Sequence, residues 1–193
     1  MKILFVFRDT KMCEQMGMMY LSAMLKKHGH STDMINTDLE DIDKKMKDYK
    51  PDILNYSVMT GEHKYLIKLN KKLKKRYKFT SIFGGPHTTF FPEVIKNEGV
   101  DIIGIGECEY AIAELADALE KRKPIDKIKN LWIKKKGKII KNPIRPLEKN
   151  LDKFPHPDRE IMYKGDKTLL EFGEKRFIAG RGCPYNCKGR IQA

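Results

Sequence analysis

The feature that most constrains the fold is a regular alternation of short apolar runs and amphipathic stretches between residues 2 and 122. The apolar runs predict five strands, at 2–7, 31–36, 52–58, 79–83 and 100–106. The stretches that follow them have apolar residues at helical spacing, and they predict helices at 16–29, 38–49, 62–77, 92–97 and 107–122. Strands that alternate with helices and are apolar nearly throughout are typical of a parallel sheet covered on both faces. The sequence therefore predicts a doubly wound α/β domain with a five-stranded, mainly parallel sheet.

The pattern changes after residue 124. The segment LWIKKKGKIIK, residues 131–141, predicts a β-hairpin that turns at Lys136 and Gly137. The segment NPIRPLEKNLDKFPHPDRE, residues 142–160, is rich in proline and predicts a linker. The chain is long enough for one ordinary domain plus a smaller part of another.

The composition raises two questions about partners: whether the chain binds nucleic acid and whether it inserts into a membrane. The chain has 39 Lys and Arg against 26 Asp and Glu, a net charge of +13, which would suit an acidic partner such as nucleic acid. The lysines lie on predicted helix faces and no nucleic-acid-binding motif accompanies them, so a solvated exterior is the favoured interpretation. No apolar run is long enough for a signal peptide or a membrane helix. We therefore expect a soluble, cytoplasmic protein that does not insert into membranes.

Three loops predict a ligand site. In an open parallel sheet, ligands bind beyond the carboxyl ends of the strands. The loops that follow the third, fourth and fifth strands are SVMTGEH (57–63), GGPHTTFFPE (84–93) and GIGECE (104–109), and all are rich in Gly, Ser or Thr. Such residues let a ligand approach the backbone closely, and together these loops suit a large, flat cofactor with polar edges. Neither a phosphate-binding GxxxxGK[ST] loop nor a GxGxxG motif after the first strand is present.

Histidines and glutamates in these loops carry no assignment by themselves. His63 and His87 are lone loop histidines, and a metal site would need partners that the sequence does not place beside them. Glu62, Glu107 and Glu109 stand at predicted helix starts, where a carboxylate also stabilises the helix dipole. We therefore assign no general acid or base.

The order and spacing of these loops, with the hairpin, the segment LDKFPHPDRE and the terminal GRGCPYNC, resemble the amino-terminal part of cobalamin-binding radical S-adenosylmethionine (SAM) enzymes. The resemblance extends to Lys188. It implies a flavodoxin-like cobalamin domain at 1–124, a hairpin and linker at 125–173, and at 174–193 the first strand and beginning of a truncated radical SAM barrel.

The resemblance also implies which residues bind cobalamin. Ser57 and Thr60 would form hydrogen bonds, the loop glycines would admit the cofactor near the backbone, and Met59 would face the corrin. The complete set of candidates is Ser57, Met59, Thr60, Gly61, Glu62, Gly84, Gly85, Pro86, His87, Gly106 and Glu107. The loop RDTKMCEQMG, residues 8–17, contains no histidine, so cobalamin would bind base-off without a histidine ligand from this loop.

Cys183 and Cys187 match the first two cysteines of the CxxxCxxC motif that holds the family's 4Fe-4S cluster. Arg190 stands where the third would be, so we expect this chain by itself to lack a normal cluster and to be a catalytically inactive fragment. The full-length family implies reductive cleavage of SAM and methyl transfer from cobalamin to an unactivated carbon of a small-molecule or peptide substrate. The alternative is a degenerate flavodoxin-like domain without cobalamin that serves as a binding or interaction module.

Overall fold

The computed structural model describes residues 1–8, 14–165, 168–171 and 173–182. Its centre is a seven-stranded sheet in the order β2-β1-β3-β4-β5-β6-β7. The strands are β1 (Lys2–Phe7), β2 (Ser31–Asn36), β3 (Ile53–Ser57), β4 (Thr80–Gly84), β5 (Ile102–Gly104), β6 (Leu131–Lys135) and β7 (Lys138–Lys141).

The first five strands are parallel, as predicted. The chain passes from β1 to β2 on one side and then returns to place β3 on the other side of β1, and β4 and β5 follow outward. The order therefore reverses between β1 and β3, and ligands bind at such a reversal in open α/β sheets.

The predicted hairpin forms and joins the same sheet. β6 runs antiparallel to β5, with Ile102 opposite Ile133 and Gly104 opposite Leu131. β7 then pairs with β6 at the edge. The sequence analysis predicted the hairpin but not this pairing, which extends the sheet from five strands to seven.

Helices cover both faces of the sheet. They are α1 (Met16–Lys27), α2 (Ile42–Tyr49), α3 (His63–Lys74), α4 (Pro86–Phe90), α5 (Glu109–Glu120), α6 (Arg159–Gly165) and α7 (Thr168–Glu171), with 3-10 turns at Pro92–Lys96 and Leu151–Lys153. Alternate strand residues point to opposite faces. Ile3, Ile53 and Ile82 therefore pack with α1, α5 and α6, whereas Leu54 and Phe83 pack with α2 and α3.

Several elements differ from the sequence predictions. The loop after β4 contains α4, and the helix predicted at 92–97 is a 3-10 turn. α6 and α7 lie in the segment predicted as hairpin and linker. The strand predicted at 174–182 is absent: no described strand runs beside this segment, and a strand needs a neighbour to bond its backbone groups.

No helix in the described part of the chain combines the length and apolar character needed to cross a membrane.

Candidate functional site

A cavity of about 600 Å³ opens at the carboxyl ends of β3, β4 and β5 and extends between the sheet and the helices α1 and α5. Met18 and Leu21 of α1 and Ile112 of α5 line it on the helix side. Ile82 and Asn55 line it on the sheet side. The cavity is therefore a mainly apolar slot with its mouth at the sheet edge where parallel α/β domains bind ligands.

The glycine that ends β4 helps to create this space. Ser57 lies opposite Gly84 in the β3–β4 register, and Gly104 ends β5. A Cβ placed on Gly84 would have no nearer neighbour than Asn55 Oδ1 at 4.0 Å, so a side chain there would project into the cavity. The missing side chain leaves room for a ligand beside the strand end.

Gly85 holds two of the predicted loops together. Its φ is 101°, a left-handed conformation that favours glycine, and a Cβ there would lie 3.0 Å from the backbone oxygen of Val58. The Val58 N–H donates to the Gly84 carbonyl at 2.8 Å, and the His87 N–H donates to the Val58 carbonyl at 3.1 Å. The loops after β3 and β4 therefore form one rigid edge of the cavity mouth.

The cavity brings together most of the residues that the resemblance implied. They are Ser57, Met59, Gly84, Gly85, Pro86, Gly106 and Glu107. Their role in cofactor binding stays a prediction, but the spatial grouping comes from the fold.

Thr60 and His87 line a different groove, on the α3 side of the sheet, with His63. The rings of His63 and His87 stack with centroids 4.0 Å apart, and Thr60 Oγ1 lies 3.1 Å from His87 Nδ1. Burial, and then the neighbouring His63, lower the pKa of His87 below its ordinary 6.5. Gly61 and Glu62 lie in the turn before α3 and line neither of these two spaces.

Residues 178–182 form part of the outer wall of the cavity. Arg181 Nη1 lies 2.6 Å from Glu109 Oε1 and 3.2 Å from Glu107 Oε2. Its guanidinium also lies 5.1 Å from the ring centroids of Tyr20 and Phe154. Although burial alone would lower it, the two carboxylates raise the pKa of Arg181. The ion pairs therefore fasten this segment to the start of α5.

Asn55 was not among the residues predicted from the sequence. This residue lies in the middle of β3, is only 4% exposed and lines the cavity. Among the described residues its side-chain amide has no hydrogen-bond partner, unlike that of Asn130, which donates to the Ile105 carbonyl at 2.8 Å. The available signal was an asparagine inside an otherwise apolar strand, where asparagine is normally depleted. A polar group that faces the slot from within a strand is what a ligand with polar edges would require.

The predicted metal ligands Cys183 and Cys187, and Arg190, lie outside the described residues. Within the described part of the chain, no group of three His, Cys, Asp or Glu side chains is placed to hold a metal ion. Cys108 lines the cavity, but burial raises the pKa of its thiol to about 12, so it is a neutral packing residue at physiological pH.

The model of the B12 binding domain family matches residues 9–116, which extend from the loop after β1 through most of α5 and include the loops that follow β3, β4 and β5. The chain belongs to the B12-binding domain family. Residues of this B12-binding domain therefore fit the implied cofactor in three respects seen in the structure: a slot at the ligand edge, a glycine, Gly84, where a side chain would fill it, and the Asn55 amide, which faces the slot without a partner among the described residues.

Sequence similarity to a known protein extends beyond residues 9–116. The chain is 32% identical over 186 residues to the uncharacterized methyltransferase PH0819 of Pyrococcus horikoshii, and the match covers 89% of this chain and 39% of that protein. The chain therefore spans well under half the length of this relative.

Two solved structures have the same fold. The cobalamin-dependent SAM radical enzyme OxsB, with aqua-cobalamin and SAM bound, matches with a TM-score of 0.71 and 18% identity over 86% of this chain and 25% of OxsB. The radical SAM methyltransferase TsrM of Kitasatospora setae, with tryptophan substrate and a SAM analogue bound, matches with a TM-score of 0.65 and 14% identity over 74% of this chain and 30% of TsrM. At these identities the likeness concerns the fold, and it agrees with the predicted flavodoxin-like architecture.

Proposed function

We propose that the chain binds a cobalamin-type corrinoid, with the nucleotide arm of the cofactor in the slot between α1 and α5. The observation that carries this proposal is the slot itself, which opens at the ligand edge of a B12-binding domain and is kept open by Gly84. The corrin macrocycle is too wide to enter between packed helices, so it would rest on the loops at the mouth. The narrow arm that hangs from it is the part that the slot accommodates.

The residues around the mouth have distinct tasks in this proposal. The Ser57 hydroxyl can hydrogen-bond the arm, and Gly84 and Gly85 let it pass close to the backbone. Gly106 has a φ of 69°, and together with Glu107 it forms the opposite rim. Arg181 and its carboxylate partners close the outer wall and exclude water from the arm.

We propose further that the domain belongs to a longer radical SAM methyltransferase that acts on an unactivated carbon. The similarity to PH0819, which is described as a methyltransferase, supports this. Bound cobalamin would supply a carrier that takes up and releases a methyl group. The 4Fe-4S cluster, SAM and a small-molecule or peptide substrate belong to that longer protein, and Cys183 and Cys187 are our candidates for two cluster ligands.

The division into a cobalamin domain at 1–124, a hairpin and linker at 125–173 and the start of a second domain at 174–193 is also proposed, as is a cytoplasmic location. The hairpin continues the sheet of the first part. A degenerate interaction module without cofactor is less favoured. It would leave the open slot, and the Asn55 amide that faces it, without a ligand.

The first experiment incubates residues 1–193 with hydroxocobalamin, removes free ligand by gel filtration and records the visible spectrum of the protein peak. We expect retained corrinoid with a base-off spectrum, since loop 8–17 has no histidine. Gly84→Val should remain folded, because a Cβ there meets no protein atom closer than 4.0 Å, yet it should lose the corrinoid by filling the slot.

The control is Gly173→Ala, where a Cβ would meet nothing within 4 Å and which does not line the slot. This variant should retain the corrinoid like the wild type. A colourless wild-type peak, or equal retention by Gly84→Val, would contradict the proposed binding mode.

A further inference from the structure

The slot contains a polar group that protein packing does not explain. Asn55 follows Ile53 on the face of β3 that packs against α1 and α5, and its neighbour in the register is Ile82. The side chain is almost fully buried, and none of the described residues donates to or accepts from its amide. The polar atoms of the amide are not enclosed by protein but reach the open slot, and for packing alone a valine or isoleucine would suit this strand position better.

The surroundings of Asn55 are otherwise suited to a flat apolar ring. Met18 and Leu21 on α1, Ile112 on α5 and Ile82 on β4 supply the neighbouring slot surface. These side chains can pack on the faces of a heteroaromatic ring, but they offer no hydrogen bond to its edge. The Asn55 amide is therefore a polar group on the sheet side of the slot that can distinguish one ring edge from another.

The chemistry of the amide narrows the choice of ring. A carboxamide presents a carbonyl acceptor and an NH₂ donor side by side. It can pair with a donor and an acceptor that lie side by side on a purine edge, such as the N6 amino group and N1 of adenine. The outer edge of dimethylbenzimidazole, the base of cobalamin, carries two methyl groups and would leave the amide unpartnered.

We propose that Asn55 determines which nucleotide base the slot prefers, and that it favours a corrinoid with a purine base over one with dimethylbenzimidazole. This inference rests on the proposed function, because it assumes that the corrinoid nucleotide occupies the slot. It goes further by assigning the base class and the residue that recognises it.

The test compares two corrinoids, cobalamin and its analogue with adenine as the lower base, by equilibrium dialysis with visible absorbance. Wild-type protein should bind the adenine analogue at least about tenfold more tightly, since a site built to hydrogen-bond a ligand rejects one that lacks the groups. Asn55→Leu keeps the number and branching of the side-chain heavy atoms and removes both the carbonyl acceptor and the NH₂ donor. In this variant the preference should disappear or reverse.

Met18→Leu is the matched control, because it changes an apolar residue of the same slot without altering a hydrogen bond. It should change the affinity for both corrinoids by similar factors and leave their ratio intact. Thermal unfolding of the ligand-free proteins is an independent measurement: Asn55→Leu should unfold at or above the wild-type temperature, because none of the described residues forms a hydrogen bond with the amide that it removes.

The outcomes separate the two proposals. If wild-type protein binds neither corrinoid, the proposed function fails. If it binds both and the ratio is the same in wild type and Asn55→Leu, the corrinoid site stands and the inference about Asn55 is overturned. A marked drop in the unfolding temperature of ligand-free Asn55→Leu would also overturn it, because the amide would then have a structural role.

Discussion

His87 shows what burial does to a single side chain near the cavity mouth. Its ring is 6% exposed, lies between the rings of His63 and Phe91, and has a lowered pKa. Glu93 opposes this shift without cancelling it. The folded protein therefore favours the neutral imidazole, whereas the unfolded chain takes up a proton near pH 6.5.

The sign of the pH dependence follows from this difference. Below pH 6.5 the unfolded state binds more protons at this residue, so the free energy of unfolding should fall as the pH drops from 6.5 toward the folded pKa. The limiting slope is about 1.4 kcal/mol per pH unit. Urea unfolding of wild type and His87→Gln at pH 7.5 and 5.5 would measure it, and the variant should lose this component.

Exposed His156 provides the control for this measurement. His156→Gln should keep the pH dependence of the wild type. An unchanged pH dependence in His87→Gln would mean that His87 does not contribute to it.

At the scale of elements, the end of β5 and the start of α5 are in close contact at Gly104 and Cys108. A Cβ on Gly104 would lie 2.8 Å from the Sγ of Cys108, and Cys108 immediately precedes α5. This glycine therefore lets the strand end and the helix start approach each other. The contact sets where Gly106 and Glu107 stand at the cavity mouth.

Gly104→Ala should lower the free energy of unfolding by about 1–3 kcal/mol, because an added methyl group must displace the sulfur. Cys108→Ala removes that sulfur and leaves the Cys108 Cβ at 3.8 Å, an ordinary contact distance. In the double variant most of the cost of Gly104→Ala should therefore be recovered. A urea double-mutant cycle that shows simple additivity would contradict this explanation.

At the scale of the whole molecule, Glu14 joins the start of α1 to the carboxyl-terminal part of the chain. Its carboxylate accepts hydrogen bonds from Arg159 Nη1 and the Tyr163 hydroxyl, both at 2.7 Å, and from the Arg176 N–H at 2.8 Å. Burial would raise the pKa of Glu14, but these hydrogen bonds lower it overall. One carboxylate thus connects α6 and residues 173–182, which carry the cavity wall.

Glu14→Ala should release this connection while the sheet stays folded. We expect trypsin to cleave faster after Lys175, Arg176 or Arg181, and stability to fall by about 1–3 kcal/mol from the unpaired groups left behind. Mass spectrometry of timed digests would locate the cuts. Exposed Glu40 is the control, and cleavage in Glu14→Ala no faster than in Glu40→Ala would argue against the connection.

The sequence by itself determined the five parallel strands, the hairpin and the glycine-rich loops at one sheet edge. These features are local: apolar runs of strand length, helical spacing and the turn at Lys136 and Gly137 can each be read within about a dozen residues. The shared edge follows from the parallel arrangement, and it was enough to bring Ser57, Gly84 and Gly106 into one candidate site.

Only the tertiary structure decided on which side of the sheet each loop residue lies. Thr60 follows Ser57 by three residues, and His87 follows Gly84 by three residues. Thr60 and His87 nevertheless lie in a groove on the α3 side of the sheet. Arg181 reaches Glu109 from more than 70 residues away along the chain, and Asn55 faces α1 and α5. Such placements depend on strand alternation, helix packing and long-range ion pairs, and these exist only once distant segments have met.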